Sequence, residues 1–565
     1  MSDPRINRRQ AISLLGGGAI GAFWFSGAWA VEHLSKTSGN PTQTKLEAAD
    51  FSFNPIDRTL GSTLATDFTG DHPSKNHIIL WDKPKFLASL SNRSIASTEV
   101  APLVIVGGGM SGILTAYALR KYNPILLEQA PRMGGNSRGE SWRGIDYSIG
   151  AAYFTKPDSG SFIDQLIQEI GLTNEIQIRQ NHDPVLFQGR MLSHFWNGAS
   201  DPEHSSQFVI LKKYFEDLVA EKSGLSIPQI PFSPKNPSPE TLRLSKITFK
   251  EHLETLLSGP LHPHLNALIE RYCWSSFAAS SGEIHAAAGI NFFASEFQSL
   301  CFVPGGNSRI AELTLSKLMS QIPHSHFRPE SMVYDVRADL SGARVSYVDA
   351  KGVSKVISTD CVVLACPKFI AAKLLHEIEP ERAKAIKTLE YHSYLVANVW
   401  VNHSSKFSFF DLYSLEKPDS NEKSLITDVI ANNRSGKIKS QSSVFTFYRG
   451  IPMKNARTEL LSDRSFQKYQ NEFQRELKAD FLPALGIKNK DIADIRLARW
   501  GHPMPVPKPG AYTDGTLETI RKPFKERVFF VQQDNWQLPA IETAAAEAVY
   551  WAPQIEAVIK RSKFS

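Results

Sequence analysis

Three glycines and one acidic residue give the first indication of chemistry in this sequence. Gly107, Gly109 and Gly112 follow the apolar run 101–106 with the spacing Gly-x-Gly-x-x-Gly, and Glu128 comes twenty-one residues after the first glycine. Such a turn lets a pyrophosphate approach the backbone, and free N–H groups at the start of the following helix bind its charge. A carboxylate at this distance binds ribose hydroxyls, so the pattern predicts FAD or NAD rather than NADP.

The elements around this motif are those that a nucleotide site needs. The run 101–106 has the branched apolar composition of a buried parallel strand, 113–119 is predicted as a helix, and 124–128 as the next strand. This context separates the motif from a chance arrangement of glycines. The predicted nucleotide contacts of this unit are Gly107, Gly109, Met110, Ser111, Gly112, Glu128 and Gln129.

A second glycine turn, the segment 132–138 (RMGGNSR), follows the acidic residue. With it the chain resembles the superfamily of flavin-dependent amine oxidases and phytoene desaturases. That resemblance implies FAD as the cofactor, with this turn along the pyrophosphate and the ribityl chain. Asn136 stands where amine oxidases usually carry arginine, and Ser137 with Arg138 is expected to replace that contact. The implied FAD contacts here are Arg132, Gly134, Gly135, Asn136 and Ser137.

Two apolar segments further along the chain extend the resemblance. Residues 332–336 and 361–367 are similar to the strands that complete the FAD domain, and Val333 corresponds to the position whose backbone meets the adenine. The resemblance implies an α/β fold in which a Rossmann-like, glutathione-reductase-like FAD-binding domain is interleaved with an α+β substrate domain. The expected segments are 99–155, 301–380 and 501–565 for the FAD domain, and 156–300 and 381–500 for the substrate domain.

The C-terminal region resembles the family's last strand and flavin-capping helix. Residues 527–534 match the strand, and by that analogy Asp534 binds the ribityl chain. Residues 538–544 match the start of the helix, where Ala540 and Ile541 would face the pyrimidine edge of the flavin. A helix N-terminus stabilises the negative charge that reduced flavin carries there.

The predicted reactive face lies near the segment 499–510, which is expected to be a loop that returns from the substrate domain to the flavin. His502 in this segment has the side chain best suited to exchange protons near neutral pH, and a capped loop histidine is its structural alternative. Trp500 and Trp536 are predicted as aromatic walls. These three residues are the candidate catalytic positions.

Three functions remain open on this evidence. The first is transfer of a hydride to flavin N5 from a substrate C–H next to an amine nitrogen. The second is desaturation or isomerisation of an unsaturated apolar substrate, which is favoured because the strand 393–401 lacks the lysine of monoamine oxidases and Ala540 replaces one of their tyrosines. The third is a flavoprotein with a binding or assembly role and no redox activity.

The N-terminal residues 1–30 are predicted to be an export signal. Arg8 and Arg9 precede the uncharged stretch 11–31, which contains a small-x-small cleavage pattern at 28–30. Paired arginines before a glycine-bearing apolar stretch are typical of twin-arginine signals, which carry folded proteins. The expected location is the periplasm or another extracytoplasmic space, and the alternative is an uncleaved membrane anchor.

Residues 31–98 are predicted to be a linker and a packed N-terminal extension, with one short strand at 78–81. The whole sequence is 42% hydrophobic and 21% charged, which predicts a chain that buries a core. A net charge of +6 over 565 residues is too dilute for a nucleic-acid surface. Four cysteines without a C-x-x-C pattern predict neither a disulfide scaffold nor a metal site. The expected partners are a small-molecule substrate, the twin-arginine export machinery and an electron acceptor that the sequence leaves open.

Overall fold

The computed structural model describes most of the chain from residue 99 onward and short parts of the extension before it. The predicted signal and most of the linker, residues 1–66, lie outside the described residues. The described residues are 67–71, 77, 79–90, 99–179, 182–233, 237–403, 409–415, 426–432, 441–451 and 456–562.

Among the described residues, seven strands form the nucleotide-binding sheet. They are β2 (Glu99–Val106), β3 (Ile125–Leu127), β11 (Phe327–Arg328), β12 (Met332–Ala338), β13 (Ala343–Val348), β14 (Ser354–Leu364) and β20 (Val528–Phe530). Their order is β11-β3-β2-β14-β13-β12, with β20 beside the end of β14. β2 pairs in parallel with β3 and β14, so its carboxyl end opens onto the glycine turn that follows it. The burial of β3 and of residues 103–106 of β2 fits parallel strands covered on both faces.

A second sheet of eight described strands carries the other half of the molecule. They are β1 (Thr69–Gly70), β8 (Val185–Phe187), β9 (Arg190–Leu192), β15 (Tyr391–Val401), β16 (Asp411–Ser414), β17 (Asp428–Ala431), β18 (Ser443–Ile451) and β19 (Ile492–Pro505). Their order is β1-β19-β15-β18-β17-β16-β8-β9. Alternate residues of β15 enter different cores: Leu395 and Ala397 join one apolar cluster, whereas Tyr394 and Val396 join another on the opposite face.

Two small sheets connect these halves. One pairs β4 (Gly139–Trp142) with β5 (Ile145–Ser148). The other has the order β6-β10-β7 and consists of β6 (Tyr153–Thr155), β7 (Gln177–Ile178) and β10 (Leu300–Phe302). β4, β5 and β6 follow the glycine turns, whereas β10, at the end of the first predicted substrate segment, pairs with both β6 and β7.

The α-helices pack around both sheets. Their bounds are α1 (Lys83–Leu90), α2 (Met110–Ala118), α3 (Phe162–Glu169), α4 (Ser206–Val219), α5 (Pro239–Leu244), α6 (Phe249–Leu257), α7 (Pro263–Phe277), α8 (Ala286–Phe293), α9 (Asn307–Met319), α10 (Lys368–Leu374), α11 (Pro380–Thr388), α12 (Ala456–Leu460), α13 (Asp463–Glu476), α14 (Thr516–Arg521) and α15 (Ile541–Ser562). Helices α2, α9 and α15 share one apolar core with β2 and β14, which fixes the start of α2 against the glycine turn. Within the described ranges, no helix is both long and apolar enough to cross a bilayer.

Two expectations about local structure are wrong. Residues 79–81, expected in a strand, are helical and lie just before α1. The segment 499–505, expected as a loop, is the end of β19, the long strand beside β15. Prolines 503 and 505 are tolerated there because β1 pairs with β19 only at residues 498 and 499, so the neighbouring edge needs no N–H donor.

Candidate functional site

A cavity of about 400 Å³ is lined by residues of both sheets. Its wall runs from the glycine turn after β2 to the start of α15, and continues along the inner face of β15, β17 and β18. One continuous space therefore joins the predicted nucleotide site to the predicted substrate side.

The first glycine turn has the geometry that a phosphate contact requires. Gly107 has a φ of +111°, and a Cβ on it would lie 2.6 Å from the Ala365 carbonyl oxygen. A Cβ on Gly112 would lie 1.9 Å from the Gly107 carbonyl oxygen, so its role is the close contact of helix with strand. Gly109 caps the start of α2, and Gly107, Gly109, Met110 and Ser111 line the cavity whereas Gly112 does not.

Glu128 lies directly after β3, buried and on the cavity wall beside Gln129. Its Oε2 accepts a hydrogen bond from the Gly108 amide at 2.7 Å, and its Oε1 accepts one from the Ala130 amide at 2.8 Å. Burial raises the pKa of this carboxyl, while the two amides oppose that rise. Each oxygen keeps a further lone pair, so the carboxylate can still accept from ribose hydroxyls.

The second glycine turn touches the first. Gly134 pairs with Gly109 in an isolated bridge and has a φ of +118°. A Cβ on Gly135, whose φ is +57°, would lie 2.9 Å from the Gly109 Cα. Gly135, Asn136 and Ser137 line the cavity. A side chain larger than hydrogen at Gly135 would push the two turns apart.

Arg132 and Gly134, predicted FAD contacts, lie outside the cavity wall. The Arg132 guanidinium turns toward the Gly139 carbonyl, and the Gly134 amide donates to the Gly108 carbonyl at 2.7 Å. Arg138 instead ties the turn to the rest of the site. It donates to the Gly135 carbonyl at 3.0 Å, and its guanidinium lies 5.0 Å from the centroid of the Trp500 ring.

Val333 lines the cavity at an irregularity in the pairing of β12 with β13. Asp534 also lines it, but its carboxylate is already held by three donors of the chain. These are the Lys368 ammonium at 2.5 Å, the Lys368 backbone amide at 2.7 Å and the Tyr391 hydroxyl at 2.7 Å. The sequence analysis did not find the Lys368–Asp534 ion pair, whose two side chains are each 1% exposed.

The start of α15 also lines the cavity. Ala540, Ile541 and Glu542 line it, and the Glu542 carboxylate accepts hydrogen bonds from the amide and the hydroxyl of Thr155 at 2.7 and 2.6 Å. This contact fixes the helix start against β6. The helix N-terminus contributes a positive partial charge to the cavity.

The three candidate catalytic residues have different surroundings. Trp500 and His502 line the cavity from β19, and the His502 ring lies 4.5 Å from that of Phe369. Trp536 does not line it, so its prediction as an aromatic wall is wrong. Its indole N–H donates at 2.6 Å to the buried Glu547 carboxylate, and this bond turns the ring into the protein core.

The N-terminal extension supplies a wall residue that the sequence analysis missed. Asp71 follows β1, lines the cavity, and accepts a hydrogen bond from the Gly501 amide at 2.7 Å. Arg138 donates to the Gly70 carbonyl at 2.5 Å. The polar sequence around residue 71 gives no signal for the contact with Gly501, because that partner lies 430 residues away along the chain.

The substrate side of the cavity is lined by tyrosines and one carboxylate from the second sheet. Tyr394 pairs with Trp500 across β15 and β19, and its ring lies 6.0 Å from that of Tyr448. The Tyr448 hydroxyl donates to the Gly150 carbonyl at 3.1 Å. Asp428, at the start of β17, lines the same space and is 1% exposed. A sequence pattern could find this surface only by aligning three strands that are remote in the chain.

Comparison with known proteins agrees with this architecture. Residues 105–170 match the family described as an NAD(P)-binding Rossmann-like domain. The chain is 22% identical over 533 residues to oxidoreductase PigB of Serratia sp. (strain ATCC 39006). The alignment covers 83% of this chain and 78% of PigB. It is 24% identical over 317 residues to the flavin-containing amine oxidase A of Sus scrofa. That alignment covers 52% of this chain and 54% of the amine oxidase.

Among solved structures, wild-type putrescine oxidase bound to putrescine is similar, with a TM-score of 0.60 and 16% identity. The similarity covers 82% of this chain and 100% of that one. The chain is therefore an oxidoreductase with the fold of the amine oxidases, built on a Rossmann-like domain. This confirms the predicted α/β class, whereas the narrower description as glutathione-reductase-like stays a prediction.

Proposed function

We propose that the protein is an FAD-dependent amine oxidase that removes a hydride from a carbon next to an amine nitrogen. The observation that carries this proposal is the continuity of the cavity. It joins the two glycine turns and Glu128 to a pocket in which Tyr394, Tyr448 and Asp428 surround the space beyond the start of α15. A nucleotide-sized groove that opens onto aromatic rings and a buried carboxylate fits a flavin beside a basic substrate.

The cradle, which consists of the two glycine turns and the wall residues around them, fits FAD. A side chain at Gly135 would collide with Gly109 where a pyrophosphate would pass, and Glu128 offers its carboxylate to the ribose. Val333 would meet the adenine, and Ala540 with Ile541 would meet the pyrimidine edge. When bound, FAD supplies the acceptor for the hydride that leaves the substrate carbon.

The residues of the chain position the substrate and hold charge. The N-terminus of α15 stabilises negative charge at the end of the cavity. Tyr448 fixes the Gly150 backbone through its hydroxyl, and the tyrosine rings exclude water from the substrate side. His502 lies on the same wall as Trp500, where an imidazole can take a proton from the substrate nitrogen. The oxidised product is then an imine.

The desaturase or isomerase alternative has one sequence argument in its favour, the absence of a lysine from 393–401 and of a tyrosine at position 540. The buried Asp428 argues against it, because an apolar substrate would leave that carboxylate without a compensating positive charge. The same carboxylate argues against a redox-silent role. A flavin that serves only as a structural cofactor requires no charged side chain on the substrate side of the cavity.

The test is anaerobic reduction of the purified, FAD-loaded protein. Primary amines and unsaturated fatty acids are added separately, and the visible flavin absorption is recorded. Bleaching by amines alone supports the proposal. Bleaching or double-bond migration with the fatty acids alone would favour the alternative, and no response to either panel would favour the redox-silent role.

His502 is tested by His502→Ala. We expect slower bleaching by amines with unchanged FAD content, because the residue handles a proton and does not belong to the glycine cradle. The matched control is His324→Ala, which removes an exposed histidine far from the cavity wall. An unchanged reduction rate in His502→Ala would exclude this histidine from the reaction.

Export is part of the same proposal. Arg8 and Arg9 before the uncharged stretch 11–31 support a twin-arginine signal, and a cofactor made in the cytoplasm supports transport in the folded state. The proposed location is therefore extracytoplasmic, and the proposed partners are an amine, the export machinery and an electron acceptor.

A further inference from the structure

Two described parts of the N-terminal extension, residues 67–71 and 79–90, reach the cavity at different places. Asp71 lines the cavity directly after β1, and Leu80 lines it together with Val333. Leu80 is 6% exposed and belongs to the apolar cluster on one face of the nucleotide-binding sheet. The extension therefore contributes wall residues both beside the second sheet and at the position expected to meet the adenine.

The first part of the extension is held against the second sheet. β1 pairs in parallel with β19, and the Asp71 amide donates to the Arg499 carbonyl at 2.9 Å. The Asp71 carboxylate accepts from the Gly501 amide at 2.7 Å. Phe68 is buried, and its ring lies 5.2 Å from that of Phe466. These contacts fix Asp71 beside the end of β19 that carries the predicted reactive wall.

The second part is held against the nucleotide-binding sheet by α1. The Lys83 ammonium lies 3.1 Å from the Asp335 carboxylate on β12 and donates to the Lys373 carbonyl at 3.1 Å. The two side chains of the ion pair are 20% and 6% exposed. The Phe86 ring lies 5.3 Å from that of Tyr334 in an edge-to-face contact. The helix is thus fastened to the strand that is expected to meet the adenine.

Leu80 has the surroundings that an adenine ring requires. It shares one apolar cluster with Val106, Leu127 and Val333, and all four side chains line the cavity. Glu128, which is expected to bind the ribose, follows Leu127 directly. Apolar side chains against the face of a purine remove apolar area from water and leave its polar edge free for hydrogen bonds.

Asp71 has a different role, because a carboxylate repels a pyrophosphate. Arg138 donates to the carbonyls of Gly70 and Gly135, so it joins the extension to the second glycine turn. Burial lowers the pKa of the Arg138 guanidinium, and the negative charge of Asp71 opposes that change. Asp71 therefore supports the cation beside the glycine turn and holds β1 in place.

We propose that the N-terminal extension is an additional wall of the FAD site that retains the cofactor, with Leu80 in contact with the adenine and with attachments at Asp71 and Lys83. The proposal rests on FAD as the cofactor and is independent of the substrate. Weakening of the adenine contact, or of the attachment that holds it, speeds the release of FAD.

The experiment measures FAD release from the loaded full-length chain, through the rise in flavin fluorescence after dilution. Leu80→Ala removes the adenine contact, and Lys83→Met removes the ion pair with Asp335. We expect release about tenfold faster for Leu80→Ala and a few-fold faster for Lys83→Met, since a partly exposed ion pair contributes less than a buried apolar contact. The matched control is Lys85→Met, an exposed lysine of the same helix, which should release FAD at the wild-type rate.

Thermal midpoints of the FAD-loaded and FAD-free protein separate a cofactor contact from core packing. A residue that only packs in the core lowers both midpoints equally, whereas a cofactor contact reduces the stabilisation that FAD adds. We expect this stabilisation to shrink in Leu80→Ala. Wild-type release together with an unchanged stabilisation by FAD would overturn the proposal.

The second variant decides the matter if Leu80→Ala does not fold. Release from Lys83→Met at the wild-type rate would then overturn the proposal, and faster release with an unchanged control supports it. A chain that binds no FAD would overturn both this proposal and the proposed function. Variants that hold FAD as tightly as wild type would overturn this proposal alone.

Discussion

At the scale of single residues, Asp428 shows that a buried carboxylate on a cavity wall can lower the stability of the fold. Burial raises the pKa of Asp428 to about 6, although the Thr427 and Ser275 hydroxyls and Asp411 oppose that rise. Burial and the neighbouring Asp428 also raise the pKa of Asp411 well above its usual value. The charge of ionised Asp428 therefore destabilises the native state.

This predicts a pH-dependent gain in stability for Asp428→Asn. Because the native pKa of about 6 exceeds the ordinary value of 3.8, wild type gains stability as the pH falls from above 6 toward 4, and above 6 it bears the full cost of the charge. Asparagine removes that cost. Urea midpoints of the ligand-free protein should be higher in the variant above pH 6, and the difference should shrink below it.

The pH dependence separates the charge of Asp428 from its packing. A difference in midpoint that is the same at every pH would contradict the charge argument, since a packing effect does not titrate. A second pH series with Asp411→Asn shows whether the two carboxyls share the transition. The charged and titratable groups that interact with this pair are Glu296, Asp183, Arg179, Tyr153, Tyr394, Tyr413 and Tyr448.

The residues of the cavity wall differ in whether a sequence pattern can identify them. Gly107, Gly109 and Glu128 could be identified because the chemistry of a phosphate turn depends on local spacing, and the structure brings all three to one cavity. Asp71 and Asp428 could not, because their surroundings come from strands remote in the chain. The prediction for Trp536 was wrong for a related reason. Tertiary contacts decide whether an indole faces a cavity or a buried carboxylate, and the sequence does not show them.

At the scale of elements, the short strand β1 fastens the N-terminal extension to the site. Gly70 has a φ of +89°, and a Cβ on it would lie 2.4 Å from the Arg499 carbonyl oxygen. Arg138 donates to its carbonyl, and Asp71 accepts from the amide of Gly501. The extension thereby joins the second glycine turn to the strand that carries Trp500 and His502.

Gly70→Ala should loosen this connection. Alanine at this backbone angle is strained, and its methyl group would collide with β19, so we expect β1 to leave the edge and FAD to dissociate several-fold faster. Fluorescence of released flavin after dilution measures the rate. Gly144→Ala is the matched control, because Gly144 has a φ of +77° but nothing within 4 Å of its Cβ position. Equal flavin loss from both variants would contradict a role for β1.

Strands and helices were predicted correctly where a local sequence pattern defines them. The prediction was wrong where an unpaired edge of a sheet decides whether a segment can be a strand. The strands 101–106 and 393–401 and the helix after the glycine turn are confirmed, since branched apolar runs and a glycine turn define them. The end of β19 was expected to be a loop because prolines interrupt it. Its open edge, which permits those prolines, is a property of sheet order and cannot be derived from the segment itself.

At the scale of the whole molecule, the cavity draws on nearly the full described chain. Its wall includes Asp71 near one end and Glu542 near the other, with both large sheets between them. No single segment forms the FAD cradle and the substrate side together. The proposed FAD cradle is therefore complete only when segments from residue 107 to residue 541 have folded together, and a chain exported unfolded would have to find its cofactor outside the cytoplasm.

This dependence makes the proposed export route testable with the full-length chain. Replacing Arg8 and Arg9 by lysine keeps the charge but removes the paired arginines, so we expect the variant to accumulate in the cytoplasm as a folded, yellow protein. Cell fractionation with flavin absorption of each fraction measures this, and wild type should place its flavin in the extracytoplasmic fraction. A charge-preserving change at Arg5, Arg5→Lys, is the matched control because it lies outside the pair. If the double variant is exported as well as wild type, the twin-arginine route is excluded, whereas the cavity and its chemistry are unaffected, because all of its wall residues lie beyond residue 70.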